Sequence, residues 1–237
     1  MNRVVSVVLI LVLSVVMFWH LNRRGYLSQF KIYLKNSAAS VGLQLFLLAA
    51  AYVGLLFVDP LLLKPLQSIH FPFSQNLLDF GGWLGKKGHL WLILISGYFL
   101  SVWFKNNRGM RLAFGSFLSM LSAVGVAFIL KHIFFRARPD ADLGPFTFFH
   151  LGSGGFDKNA FLSFPSGDVA VVAGACLFLF YTVKNISVRL ILLALPLLTA
   201  LSRLSLNRHW PSDVIFSIGL GFIAALFIRR YLLKLSP

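Results

Sequence analysis

Seven apolar runs divide the chain, at about 4–19, 41–58, 90–104, 112–130, 169–183, 190–201 and 214–228, and polar or basic residues separate them. Several fall short of the ~20 residues a helix needs to cross the hydrocarbon core of a bilayer, so flanking residues must complete them. The pattern predicts an all-α, polytopic membrane helix bundle. The first run has the length of a signal peptide. However, Asn22-Arg23-Arg24 follows it, its amino end carries only Arg3, and no small-residue cleavage site is evident, so a retained helix with its amino end outside is expected. Residues 1–40 then make an N-terminal transmembrane helix and cytoplasmic linker, and residues 41–237 one membrane domain. Between the second and third runs, residues 59–89 mix Leu, Phe and Trp83 with Pro60, Pro65, Pro72 and Gly81-Gly82. This stretch reads either as a re-entrant piece walling a lipid path or as an ordinary amphipathic loop.

Composition agrees with the pattern. At 58% hydrophobic, 12% charged and mean hydropathy +0.80, the chain is too apolar for a soluble domain. The single cysteine, Cys176, excludes a disulfide or thiolate metal site within one chain and reads as packing. If seven helices start outside, 12 of the 22 Lys and Arg residues fall in the inner loops. Lys131, Arg138 and Arg203, among the outer ten, belong to a candidate site. All seven acids are Asp (59, 79, 140, 142, 157, 168, 213), and all fall outside. The net charge of +15 is thus mostly an inner-surface feature suited to anionic lipid heads, and nucleic acid need not be invoked.

Three clusters at the outer ends of apolar runs carry the candidate chemistry. Lys131 and Arg138 are seven apart, about two helical turns, so they are expected on one helix face, with Pro139 ending the helix and freeing Arg138 to turn inward. Two such cations can bind phosphate oxygens. A Lys or Arg at a helix end can equally be snorkelling. Pro165-Ser166-Gly167 predicts a helix start with Pro165 in the first position and the amides of Ser166, Gly167 and Asp168 open to an anion. His209 and Asp213, at i and i+4, are expected to place a carboxylate on one ring nitrogen and aim the other at phosphorus. Arg203 adds a third cation for the transition state.

In order and spacing, Lys131-x6-Arg138-Pro139, Pro165-Ser166-Gly167 and Ser202-Arg203-x5-His209-x3-Asp213 resemble the three-part signature of the type-2 phosphatidic acid phosphatase superfamily. The resemblance implies a six-helix phosphatase core, here runs two to seven, plus one added N-terminal helix. It implies no metal and no other cofactor. In this chain His209 would be the nucleophile forming a phosphohistidine and Asp213 its orienting partner. Lys131, Arg138, Ser166, Gly167 and Arg203 would hold the phosphate.

One position departs from the pattern. Asp168 stands where the superfamily usually has a His that protonates the leaving oxygen. Three cations and a helix amino terminus favour an ionised carboxylate, which leaves the proton donor open among Asp168 sharing a proton with the substrate, His150, or water. Gly167-Asp168, with Asp157-Lys158-Asn159, Ser163-Phe164 and Ser212-Asp213-Val214, also resembles the bacterial lipid A 4′-phosphatase branch. That resemblance implies a multi-pass inner-membrane enzyme with a periplasmic site, acting on lipid A among membrane phospholipids without an obligate protein partner. Arg136, Lys158 and Arg208 would be further cations for a bis-phosphorylated head group. Two alternatives stay open. One is a prenyl diphosphate or phosphatidylglycerophosphate phosphatase, or a lipid phosphotransferase, of the same superfamily. The other is a non-catalytic lipid-binding membrane protein.

Overall fold

The computed structural model describes residues 12–19, 22–23, 26–68, 74–86, 88–149 and 158–234. Residues 12–19 are helical. Thereafter the order is α1 (Tyr26–Leu56), α2 (Asp59–Ser68), α3 (Ser74–Gly85), α4 (His89–Trp103), α5 (Asn107–Phe134), two 3-10 turns (Pro139–Ala141 and Lys158–Phe161), α6 (Gly167–Thr182), α7 (Ile186–Ser205) and α8 (Pro211–Lys234). Among the described residues there is no strand. Each apolar run meets one helix, and runs two to seven correspond to α1 and α4–α8. Stretches long and apolar enough to cross a membrane occupy Ile32–Leu56, Asn107–Ala141, Ile186–Ser205 and Pro211–Lys234, while α4 and α6 are shorter apolar helices. α1 is one continuous helix from Tyr26 to Leu56, through residue 40.

Local chemistry sets the helix ends. Asn106 and Asn185 cap α5 and α7, accepting from the amides of Gly109 (2.9 Å) and Val188 (3.1 Å). α5 stops at Phe134 because Phe135 turns left-handed, with φ 40°. Arg138 therefore lies beyond the helix on extended backbone, and the expected two-turn alignment with Lys131 does not occur. Likewise α6 begins at Gly167 with Ser166 as its N-cap, so Pro165 precedes the helix instead of opening it.

α5, α6 and α8 pack pairwise into the core, with α4 and α7 on either side and α1 against α8. Small residues let the axes approach. A Cβ on Gly174 would lie 2.8 Å from the Met120 backbone, and one on Gly221 2.5 Å from Ala173. Ser116 and Ser119 donate across this seam to the carbonyls of Ala175 (2.8 Å) and Gly174 (2.7 Å). Without water, such polar contacts and close van der Waals packing hold helices together better than burial of apolar area can. On the outside, Leu43, Phe46, Leu47 and Val53 of α1 stay exposed, as a lipid-facing surface requires.

Candidate active site

Residue by residue, the site is built where α5 ends and α6 and α8 begin. His209 sits in the short α7–α8 connection, two residues before α8, and is buried. Its Nδ1 lies 2.7 Å from the carbonyl oxygen of Ser163. A carbonyl only accepts, so Nδ1 carries the hydrogen and Nε2 keeps its lone pair. Burial, together with the charges of Lys131, Arg138 and Arg203, holds the imidazole well below its usual pKa, against the raising effect of the Ser163 bond. The ring is therefore neutral at pH 7.

Asp213 is not the direct partner that the i, i+4 spacing predicts. His209 precedes α8, so helical geometry does not apply between them, and the carboxylate is 3.9 Å from Nδ1. Asp213 acts one step removed. Its Oδ2 accepts from the Ser163 hydroxyl at 2.5 Å and from the Trp210 amide at 3.0 Å, fixing both the segment that presents the Ser163 carbonyl and the start of α8.

Arg136 is likewise no head-group contact. It is fully buried, and its guanidinium donates to Asp213 Oδ1 (2.5 Å), Asp59 Oδ2 (2.6 Å), the Ser212 hydroxyl (2.8 Å), the Tyr52 hydroxyl (3.1 Å) and the Pro145 carbonyl (2.8 and 3.0 Å). Trp210 and Phe148 lie 5.4 and 5.2 Å from it. Trp210 is thus buried against Arg136 and donates to the Ala137 carbonyl (2.9 Å). Asp59 completes the cluster by accepting from the Ser212 amide at 2.7 Å and its hydroxyl at 2.6 Å, which caps α8 from the start of α2. Sequence reasoning missed Asp59. Its signal was a lone acid at the end of an apolar run.

The phosphate-binding candidates frame His209. Lys131 Nζ donates to the Leu162 carbonyl at 2.6 Å, which ties the end of α5 to the loop before α6. The Arg138 amide donates to Ala160 at 2.8 Å, and the Ser163 amide to Arg136 at 3.0 Å, so the two loops run together. Ser166 is buried as the N-cap of α6 with no side-chain cap bond, and its Oγ has no protein partner among the described residues. A Cβ on Gly167 would meet nothing within 4 Å, so the α6 amino terminus opens onto free space. An anion there would meet unpaired amides at the positive end of the helix. Arg203, at the last turn of α7, pairs with Asp168 at 3.1 Å, while its Nε has no partner among the described residues. Arg208 stands apart in a half-exposed pair with Asp140 at 3.3 Å. The side chain of Lys158, and His150 and Asp157 entirely, lie outside the described residues. Among the described residues no three His, Cys, Asp or Glu side chains gather as metal ligands.

Two further features surround the site. α3 lies directly on it: a Cβ on Gly82 would strike the Arg203 guanidinium at 2.4 Å, and one on Gly85 would strike Asp168 at 2.9 Å. The Gly81-Gly82 pair and Gly85 thus serve close approach, and residues 74–85 form a wall of the site. Beside it, a cavity of about 590 Å³ opens between α1 and α5, lined by Tyr52, Leu56, Leu130, Phe134, Phe148 and Phe164 among others. Tyr52 bonds Arg136, and Phe164 lies two residues before Ser166, so this apolar space adjoins the polar centre.

A family model described as the PAP2 superfamily matches residues 112–237, more than half of the chain. The crystal structure of Aquifex aeolicus LpxE is similar, with TM-score 0.57 and 21% identity over 73% of this chain and 95% of that one. So is that of a transmembrane PAP2-type phosphatidylglycerolphosphate phosphatase from Bacillus subtilis, with TM-score 0.62 and 21% identity over 84% and 96%. No curated protein matches the chain in sequence.

Proposed function

The chain belongs to the PAP2 superfamily and is a multi-pass membrane lipid phosphatase, and from that premise and the geometry above we propose that it removes the 4′-phosphate of lipid A at the periplasmic face of the inner membrane. The observation that carries the mechanism is the 2.7 Å contact of His209 Nδ1 with the Ser163 carbonyl. With Nδ1 protonated, the Nε2 lone pair attacks phosphorus. The N–P bond forms as the P–O bond to the lipid breaks and the departing oxygen takes a proton from water or from one that Asp168 shares with the substrate, giving a phosphohistidine; water then attacks phosphorus, the N–P bond breaks, and inorganic phosphate and neutral His209 are released. Lys131, Arg138, Arg203, the Ser166 hydroxyl and the α6 amides stabilise the equatorial oxygens. Asp213 works as a positioning residue through Ser163. The six-helix core takes in all of α1, which runs unbroken through residue 40, so the added N-terminal segment ends before Tyr26 and not at residue 40.

The apolar cavity beside Phe164 supports a lipid substrate, because it offers an acyl chain a path from the bilayer to the phosphate site. The choice of lipid A rests on the Gly167-Asp168 and Ser212-Asp213-Val214 pattern. The Asp168–Arg203 pair favours a second reading, a diphosphate or phosphatidylglycerophosphate substrate. Asp168 is engaged with Arg203, and a diphosphate leaves with little help from an acid.

Mass spectrometry of bis-phosphorylated lipid A incubated with the purified protein, with fragmentation to locate the missing phosphate, separates these readings. Loss from the 4′ position is expected. Loss from the 1 position would overturn the assigned position, and turnover of prenyl diphosphate or phosphatidylglycerophosphate alone would support the second reading.

A further inference from the structure

The three helices that carry the catalytic cluster at one end carry a second cationic pocket at the other. Arg108 and Arg111 in the first turns of α5, Arg229 near the end of α8, and Tyr181 and Thr182 at the end of α6 surround a cavity of about 260 Å³. We infer that Arg108, Arg111 and Arg229 form a second anion site, which takes a phosphate group of the kind an anionic phospholipid head presents.

Position supports this first. Arg111 and Lys131 are twenty residues apart on one helix, or about 30 Å along its axis at 1.5 Å per residue. That separation equals the thickness of the hydrocarbon core, about 30 Å, so the two cationic clusters sit at the head-group levels of opposite leaflets. Charge supports it next. The pocket lining contains three guanidinium groups and no Asp or Glu. The sequence has no Asp or Glu in residues 80–139, 169–212 or 214–237, which supply this end of α5, α6 and α8.

The construction of the cavity fits a head group. Arg108 and Arg111, three apart, share a helix face, and Arg229 approaches from a different helix. Thr182 and Tyr181 add hydroxyls at the rim, and Leu112, Phe178, Leu232 and Leu233 supply an apolar side for the first carbons of an acyl chain. Beneath, Gly115 lets Phe178 and Leu232 close the floor, since a Cβ there would lie 2.1 Å from one ring and 2.7 Å from the other side chain. Basic pockets between membrane helices bind lipid phosphates in this manner.

Native mass spectrometry of the full chain in detergent tests the site, with phosphatidylglycerol, phosphatidylcholine and inorganic phosphate as probes. Phosphatidylglycerol is a phosphodiester, so retaining it does not depend on the monoesterase reading. The comparison is wild type against Arg108→Gln/Arg111→Gln/Arg229→Gln. Wild type should hold phosphatidylglycerol at least about tenfold more tightly, since each cation near a lipid phosphate contributes about a factor of five. Phosphatidylcholine should not distinguish the two proteins. Millimolar phosphate that displaces the lipid from wild type identifies a site for free phosphate, and failure to displace it identifies a lipid-head site. Both outcomes support the assigned chemistry. Equal retention of phosphatidylglycerol by both proteins, or the same arginine dependence for phosphatidylcholine, overturns it. Phosphate release from the catalytic site should be unchanged in the triple variant, which reports that it is folded. If that variant does not fold, Arg229→Gln alone should weaken retention about fivefold, and no change would count equally against the site.

Discussion

The His209–Ser163 contact makes the imidazole a nucleophile at neutral pH before any substrate arrives, because the carbonyl accepts a hydrogen bond from Nδ1–H, leaving the Nε2 lone pair free, and the surrounding cations disfavour a second proton. His209→Ala should therefore abolish phosphate release, by at least about a thousandfold, while the purified protein keeps its elution volume in detergent. The pH dependence has a definite sign. The ordinary His pKa is about 6.5, and that of His209 is lowered, so the competent neutral form persists to lower pH. The acid limb of kcat/KM, corrected for the substrate phosphate ionising near pH ~6, should fall with a midpoint below about 6.5. A midpoint above 7 would mean the cations do not act on this ring. Asp168→Asn should slow a monoester more than a diphosphate if the carboxyl delivers the leaving-group proton. Equal losses on both would assign it to holding Arg203, its partner at 3.1 Å. At this scale the sequence showed which residues gather, because motif spacing encodes that. It did not show who touches whom. Asp213 reaches Ser163 instead of His209, and Arg136 turns inward to two carboxylates, because loop backbone, not helical periodicity, places Arg136, Ser163 and His209 around the first turn of α8 that carries Asp213.

At the level of elements, one buried arginine joins the start of α2, the start of α8, α1 through Tyr52, and the loop after α5. Removing it leaves the buried Asp59 and Asp213 carboxylates without the cation they share. Arg136→Met should cost about 3–5 kcal/mol, read as a large loss of thermal stability in detergent, with activity falling because the Ser163–Asp213 arrangement loosens. Asp59→Asn should act in the same direction through the α8 cap. α3 gives a contrasting case. Gly82→Ala places a methyl against the Arg203 guanidinium and the Ser202 hydroxyl, so activity should fall about tenfold with little change in thermal stability, the loss expected when a catalytic cation shifts by an ångström. The six helices of the core were legible because each long apolar run must become a helix in lipid. The role of α3 was only half legible. The mix of Pro60, Pro65, Pro72 and Gly81-Gly82 in residues 59–89 left a re-entrant wall and an ordinary amphipathic loop both open, because which face of the bundle α3 covers depends on packing against α7 and α6 that no local pattern records.

For the whole molecule, Asp59, Asp140, Asp142, Asp168 and Asp213 and the catalytic cluster lie at one end of the bundle, and Arg108, Arg111, Lys184 and Arg229 at the other. If the catalytic end faces outward, a cysteine introduced at exposed Asp142 should react with a membrane-impermeant thiol reagent in intact cells. One at exposed Lys184 should react only after the membrane is opened, and buried Cys176 should stay silent in both. The reverse pattern would place the site on the cytoplasmic face. The account as a whole stands on a covalent phosphohistidine, and the most direct measurement is to quench the purified enzyme with radiolabelled lipid phosphate during turnover and map the label by peptide mass spectrometry under alkaline conditions. Acid-labile label on His209, absent from His209→Ala and reduced in Ser163→Pro, where the loop that presents the carbonyl is disturbed, is the predicted result. Turnover with no label on His209, or label retained on another residue in His209→Ala, would contradict it.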